Sequence, residues 1–283
     1  MRLLTLGDSW TYGIELWDPE LGPQKNYFPI HHAKHEAYRQ RHAWPWKIAE
    51  LLEVSEVINL AWPGCSNDTI VRRLMRWLTS EGYLNGRNSQ DLLVMIGWTG
   101  PERRDFYSAD AELVRNWPYT SDNGWITVTP WGTGTNRWSG EFGIKQLNTL
   151  SVEYFSHWCD PNEYLNRYIN QTWTVQKTLD SIGAHWLMFQ AFFENPELDI
   201  DYWTDEYFDM SKFQIDVDDL KLWNMVHSVN YYKKKDGTQT FHNFLMAARS
   251  ERDDVMVKTH PTALGHSLWA TELFNYMKNN KLV

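Results

Sequence analysis

The sequence predicts an α/β protein, a parallel sheet with helices on both faces. Three observations predict it. Four short apolar runs, Leu3–Leu6, Val57–Leu60, Leu92–Ile96 and His185–Gln190, have the length and near-continuous hydrophobicity of strands buried on both sides. Stretches with helical spacing lie between them, and strands that alternate with helices form parallel sheets through right-handed crossovers. The first three runs each break into a glycine-containing turn, at Gly7, Gly64 and Gly97.

Each element has its own signal. The first run stops at Gly7-Asp8-Ser9, where a small residue lets the backbone turn and delivers Ser9 just past a strand end. Asp8 is expected to cap that turn. Residues 14–41 read as an irregular polar segment with Pro19, Pro23 and Pro29. His31 and His35 are spaced i,i+4 there, but no third ligand accompanies them, so solvated or capping roles are expected and no metal site. Trp44–Leu52 reads as a helix with Pro45 in its first turn. The second strand runs through Ala61–Asp68 into a helix over Thr69–Leu78, spaced by Ile70, Leu74, Trp77 and Leu78. The third ends at Gly97-Trp98-Thr99-Gly100-Pro101.

Residues 101–160 lose this regularity and read as an insertion of loops and short strands. A long helix is expected from Pro161 to Ile182, ended by Gly183, and the fourth strand follows. Residues 193–250 read as a second insertion, acidic and aromatic from Asp199 to Asp219, with a turn at Asp236-Gly237. A last helix over Thr262–Met277 is expected to direct Leu264, Leu268, Leu273 and Phe274 toward the sheet. One domain over residues 1–283 carrying both insertions is the expected organisation.

Composition narrows the function. A formal charge of −9 and a pI near 5.6 argue against a nucleic-acid or anionic-membrane partner, and Lys233-Lys234-Lys235 is too short a run to reverse that. Cys65 and Cys159 provide neither a disulfide framework nor metal spacing. With no leader-like apolar segment and no run approaching a membrane span, the expectation is a soluble protein, cytoplasmic or virion-associated. The chain holds 17 Trp, 14 Tyr and 12 Phe at a mean hydropathy of −0.56, so its apolar area is concentrated in large rings with polar handles. Such rings suit sugar-stacking surfaces or a ring-rich core.

A lone Gly-Asp-Ser is a turn or cap signal. Here it is joined by Thr259-His260-Pro261 near the far end, ahead of the last helix. Together the two ends resemble the SGNH (GDSL-type) serine hydrolases. The resemblance covers roughly half the chain and implies a flavodoxin-like three-layer α/β/α sandwich. It implies Ser9 as nucleophile and His260 as the base that takes its proton. Gly64, in Asn59–Gly64, matches the second motif, whose backbone N–H joins that of Ser9 in the oxyanion hole. The third motif is usually Gly-x-Asn-Asp, and here Thr99 stands at the asparagine position, so the third donor would be its hydroxyl or be supplied by Asn67. The family's aspartate falls three residues before the histidine, and here that position is Val257. Asp253 and Asp254 are the nearest candidate acids, with a Ser–His dyad as the alternative.

Asn67, Trp98, Arg103 and Arg104 are candidates for binding substrate. If a helix begins at Pro101, one of the two arginines can lean over the crevice to a carboxylate or sugar hydroxyl; the plainer reading pairs it with Glu102 or Asp105. His266 is read as structural, pointing out from the last helix. The form Gly97–Arg104 is also similar to SGNH-type proteins of tailed bacteriophages. The resulting expectation is a cofactor-free, metal-free serine esterase that removes small acyl groups such as acetyl from carbohydrate. The rival is an inactive or weakened scaffold that binds carbohydrate or serves as a structural virion protein. The substrate reading rests on Trp117, Tyr119, Trp125, Trp131 and Trp138 in the first insertion and Tyr202, Trp203, Tyr207 and Phe208 in the second. Oligomeric state leaves no mark in the sequence.

Overall fold

The central sheet has four parallel strands, β1 (Arg2–Leu6), β2 (Glu56–Asn59), β3 (Leu92–Trp98) and β7 (His185–Gln190), in the order β2-β1-β3-β7. This is a computed structural model that describes residues 1–21, 35–109, 120–122, 124–129, 149–150, 153–158, 161–192, 225–226, 230–232, 240–257 and 260–282. Register runs from Arg2↔Glu56 to Thr5↔Asn59, from Arg2↔Leu92 to Leu6↔Ile96, and from Leu93↔His185 to Trp98↔Gln190. Beyond β7, Tyr231 and Thr240 make parallel bridges to Met188 and Gln190 at the fifth position of a flavodoxin-like order.

The alternation of side chains along these strands sorts the core into two layers. Leu4, Leu6, Val94, Ile96, Trp98 and Met188 face α4 (Asn67–Ser80) and α5 (Pro161–Ile182). Leu3, Leu93, Met95, Leu187 and Phe189 face α3 (Trp44–Leu51), α6 (Phe241–Arg249) and α7 (Ala263–Asn279). The architecture is the three-layer α/β/α sandwich that the strand and helix signals predict. Each fully buried aliphatic or aromatic side chain contributes about 1.5–3 kcal/mol, so both layers are needed to hold the sheet.

Some local expectations are corrected. Residues 14–41 contain helix α2 (Glu36–His42), whose polar sequence hid it. Its Arg39 is buried, with the guanidinium 4.7 Å over the Tyr12 ring and paired to Glu36. Of the two roles expected for His35, the solvated one is excluded: it is buried at the N-cap position of α2, and its Nδ1 accepts the Asp18 N–H at 3.1 Å. No helix begins at Pro101; after a turn the chain enters β4 (Arg104–Tyr107), which pairs antiparallel with β6 (Trp125–Val128), itself paired with β5 (Thr120–Asp122).

On α7 the buried stripe is His266, Trp269, Ala270, Leu273 and Met277, whereas Leu264, Leu268 and Phe274 are only partly buried. His266 therefore points inward, not out. Its Nδ1 accepts the Trp44 N–H at 3.2 Å, and burial pushes its pKa down to about 3, with the His260 and His42 charges adding to it. A stripe anchored by Trp269, stacked on Phe241 at 4.7 Å, outcompetes one anchored by leucines because the indole buries more area. His31, the Asp236-Gly237 turn and all the substrate-facing rings proposed in the insertions except Trp125 lie outside the described residues.

Candidate active site

In this strand order the chain leaves β1 for one side of the sheet and later returns to pair β3 on the other, which makes the carboxyl ends of β1 and β3 a topological switch point, where ligands bind in such sheets. Ser9 and Thr99 lie at those two ends. Gly7 is required by close approach, since a Cβ there would overlap the Thr11 hydroxyl and come 3.0 Å from the Gly97 carbonyl oxygen. Asp8 caps the one-turn helix α1 (Ser9–Tyr12) by accepting the Trp10 N–H at 3.0 Å. The second loop is tied to the first: the Trp62 N–H and the Cys65 thiol donate to the Gly7 carbonyl at 3.0 and 3.3 Å.

His260 is brought to Ser9 from the other end of the chain. It lies on β9 (His260–Pro261), a two-residue strand paired with β8 (Met256–Val257) so that Val257 sits opposite His260. Its Nε2 is 3.1 Å from Ser9 Oγ. Burial pushes the ring down to about 4, and the Arg103 guanidinium adds to the shift. The imidazole is thus neutral across the neutral range and its unprotonated nitrogen can accept a proton. Its Nδ1 is 3.7 Å from Glu15 Oε1, a carboxylate whose side chain is only 3% exposed.

Glu15 was missed from sequence because it follows the nucleophile by six positions in a segment read as loop. The upstream candidates do not reach the ring. Asp254 is exposed and held by Arg252 through two contacts at 2.8 and 3.1 Å, and Asp253 is exposed beside it in a short turn.

The third motif departs from what the resemblance implies. The Thr99 hydroxyl donates to Asp8 Oδ2 at 2.9 Å, and Asn67 clamps the Thr99 backbone, accepting its N–H at 3.0 Å and donating to its carbonyl at 3.1 Å. Neither side chain is aimed at the Ser9 hydroxyl; both hold the loop. Within the described residues the N–H groups of Ser9 and Gly64 have no hydrogen-bond partner, and Gly64 takes the left-handed conformation at φ 73°.

Trp98 is fully buried against Tyr168, edge to face at 5.9 Å, and is a core residue rather than a substrate contact. Arg104 pairs with Glu163 at 3.1 Å on the surface side. Arg103 is buried; its Nη1 meets Asp8 Oδ2 at 3.3 Å and the Cys65 carbonyl at 3.2 Å. Burial pushes the Asp8 carboxyl up, and Arg103, the Trp10 N–H and the Thr99 hydroxyl pull it back. No three His, Cys, Asp or Glu side chains among the described residues converge as a metal site, and no described helix is long and apolar enough to cross a membrane.

A three-layer α/β fold with a serine–histidine pair at its switch point defines the class. The chain belongs to a family of unknown function (DUF6071), whose profile matches residues 30–283. Among solved structures it is similar to a protein from Slackia heliotrinireducens described as a candidate SGNH hydrolase (14% identity, 98% of each chain, TM-score 0.41). It is likewise similar to TesA (12% identity, 99% of each chain, TM-score 0.44). A third is the psychrotrophic esterase EstA from Pseudoalteromonas sp. (12% identity, 98% of this chain and 97% of that one, TM-score 0.41). No curated protein matches the chain.

Proposed function

We propose that the protein is a serine esterase of SGNH type. The observation that carries this is the 3.1 Å approach of His260 Nε2 to Ser9 Oγ, made by residues 251 positions apart. In this reading Nε2 takes the hydroxyl proton as Oγ attacks the ester carbonyl. The Ser9 and Gly64 N–H groups receive the oxyanion, and the imidazolium returns the proton to the departing alcohol. Water then repeats the sequence to release the acid. The buried Arg103 cation supplies positive potential where the family's asparagine is lacking. The test is labelling by a fluorophosphonate, which requires an activated serine: modification of wild type but not of Ser9→Ala is expected, and equal labelling of both removes Ser9 from the role.

For substrate, the reading is a small acyl group, acetyl above all, carried on carbohydrate. The aromatic content supports it, since lipid chains call for aliphatic walls. Of the rings that prompted it, Trp125 is described, and it packs against Tyr107 at 5.5 Å with the Arg72 guanidinium 4.3 Å above its face. Acetate release from acetylated oligosaccharides is expected to exceed hydrolysis of long-chain aryl esters; preference for chains beyond about eight carbons contradicts a polar aromatic wall. The commitment of the Thr99 hydroxyl and the Asn67 amide to the loop favours a second reading, a weakened scaffold that binds carbohydrate or builds a virion. An unlabelled Ser9 with retained sugar binding decides for it.

A further inference from the structure

We infer that Glu15 is the carboxylate that orients His260, a positioning residue supplied by the loop after the nucleophile instead of the segment before the histidine. The inference rests on the Ser9–His260 reading. It begins from the ring geometry. Nε2 faces Ser9 Oγ at 3.1 Å and Nδ1 faces Glu15 Oε1 at 3.7 Å, so the two oxygens lie at the two nitrogens of one imidazole. A proton on Nδ1 is favoured by the carboxylate, which leaves the Nε2 lone pair toward the serine, the tautomer a general base needs. At 3.7 Å the contact is an ion-pair approach, one that tightens as the ring gains charge in the reaction.

The loop is built to hold that carboxylate. Gly13 ends α1 in the left-handed conformation at φ 80°, donating its N–H to the Ser9 carbonyl at 2.9 Å, and the Ile14 N–H donates to the same oxygen at 3.2 Å. The Leu16 N–H then donates to the Gly13 carbonyl at 3.1 Å, so the chain doubles back within one turn of the nucleophile. A Cβ on Gly13 would lie 2.9 Å from Leu16 Cδ1 and 3.1 Å from Ala43 Cβ, which pins the turn from outside. Leu16 and Ile14 are buried, and Glu15 between them is carried inward. A carboxylate taken out of water requires charged or hydrogen-bonding partners, and among the described residues the ring of His260 lies 3.7 Å from it.

Meanwhile the position opposite His260 in its hairpin is Val257, which cannot serve, and Asp254 is turned to Arg252. Among the described residues, the charged and titratable groups near the ring include Glu15 from the loop at 3.7 Å, Arg103 from the third motif, whose charge lowers the ring's pKa, and His266 from α7, whose own pKa the His260 charge lowers. A cavity of about 300 Å³ bordered by Glu15, Trp17, Tyr38, Asp254, Val257 and Thr262 leaves room beside the carboxylate for a small anion, the Asp254 charge being paired with Arg252.

That cavity makes the test specific. In the full chain, Glu15→Gln is expected to lower kcat/KM for an acetyl aryl ester by roughly 10²- to 10⁴-fold. Glu15→Asp, which keeps the charge, is expected to lose about tenfold, and Glu15→Ala to regain activity when formate is added. Retention of wild-type kcat/KM by Glu15→Gln, or a loss in Glu15→Ala that formate leaves unchanged, overturns the inference. Should Glu15→Gln fail to fold, Glu15→Asp and formate rescue of Glu15→Ala decide. NMR titration of His260 separates this from the esterase reading: if wild type neither hydrolyses esters nor labels, that reading fails alone. Glu15→Gln is still expected to lower the ring's pKa, and an unmoved titration then overturns the role of Glu15.

Discussion

Two buried polar clusters on the same loops behave differently. Asp105, at the start of β4, accepts from the hydroxyls of Ser66, Thr69 and Thr127 at 2.6, 2.6 and 2.7 Å and from Arg72 at 2.9 Å. Those four donors tie the start of α4 to the β4–β6 sheet, and the carboxylate has no acceptor capacity turned to a ligand. At the Ser9–His260 pair the count is incomplete: the ring is neutral, its Nε2 faces a hydroxyl, and the Ser9 and Gly64 N–H groups have no partner among the described residues. A saturated cluster stabilises; a cluster with capacity in reserve can accept a substrate. Asp8 belongs between the two, because its partners Thr99 and Arg103 hold the third loop while Ser9 follows it in sequence.

The largest expected effect breaks the reactive side of this comparison. Ser9→Ala is expected to lower aryl-ester turnover by at least roughly 10⁴-fold while changing stability by less than about 1 kcal/mol. Steady-state kinetics and denaturant unfolding on the same sample check both halves. Breaking the saturated side gives the reverse pattern. Asp105→Ala removes an acceptor that the Arg72 guanidinium and three hydroxyls share and is expected to destabilise by about 3–5 kcal/mol. Fluorophosphonate labelling of the still-folded fraction is expected to be unchanged, and loss of labelling in folded protein means that the clusters are coupled.

Acid sharpens the comparison further. His260 and His266 have folded-state values of about 4 and about 3, below the ordinary 6.5, so between those limits the unfolded chain binds more protons. Stability is therefore complete above pH 6.5 and falls as the pH drops toward 4, by roughly 1.4 kcal/mol per pH unit for each histidine. Urea midpoints across that range check it, and His266→Asn is expected to remove about half the slope. The smallest effect tests the upstream acids. Asp253→Asn and Asp254→Asn are each expected to change kcat by less than about tenfold, because Asp254 faces Arg252 and both are exposed; a drop near 10⁴ places the acid there instead.

Much of the fold was legible before any coordinates. The helix predicted over Pro161–Ile182 and the strand predicted over His185–Gln190 have those bounds in the structure, and the other three strands appear with ends shifted by one or two residues. These signals are local: buried parallel strands read as continuous apolar runs, and capping and glycine mark helix ends. The Ser9–His260 pairing was legible through two motifs, although it takes the β8–β9 pair ahead of α7 to bring residues 251 apart to 3.1 Å.

Other features depended on contacts that sequence does not encode locally. Amphipathic phase on α7 was misjudged because a histidine scored as polar shares its buried stripe with Trp269. Trp98 read as a site residue but packs on Tyr168 of α5 in the core layer on one face of the sheet. Above all, the sequence by itself determined which elements form and where a nucleophile and a base stand along the chain, since both follow from spacing and residue type. The tertiary structure alone decided that Thr99 and Asn67 spend their hydrogen bonds on the loop, that Arg103 faces Asp8, and that Glu15 meets His260. Each of those is a choice among partners distant in sequence, made by which groups the fold leaves buried together with no water to satisfy them.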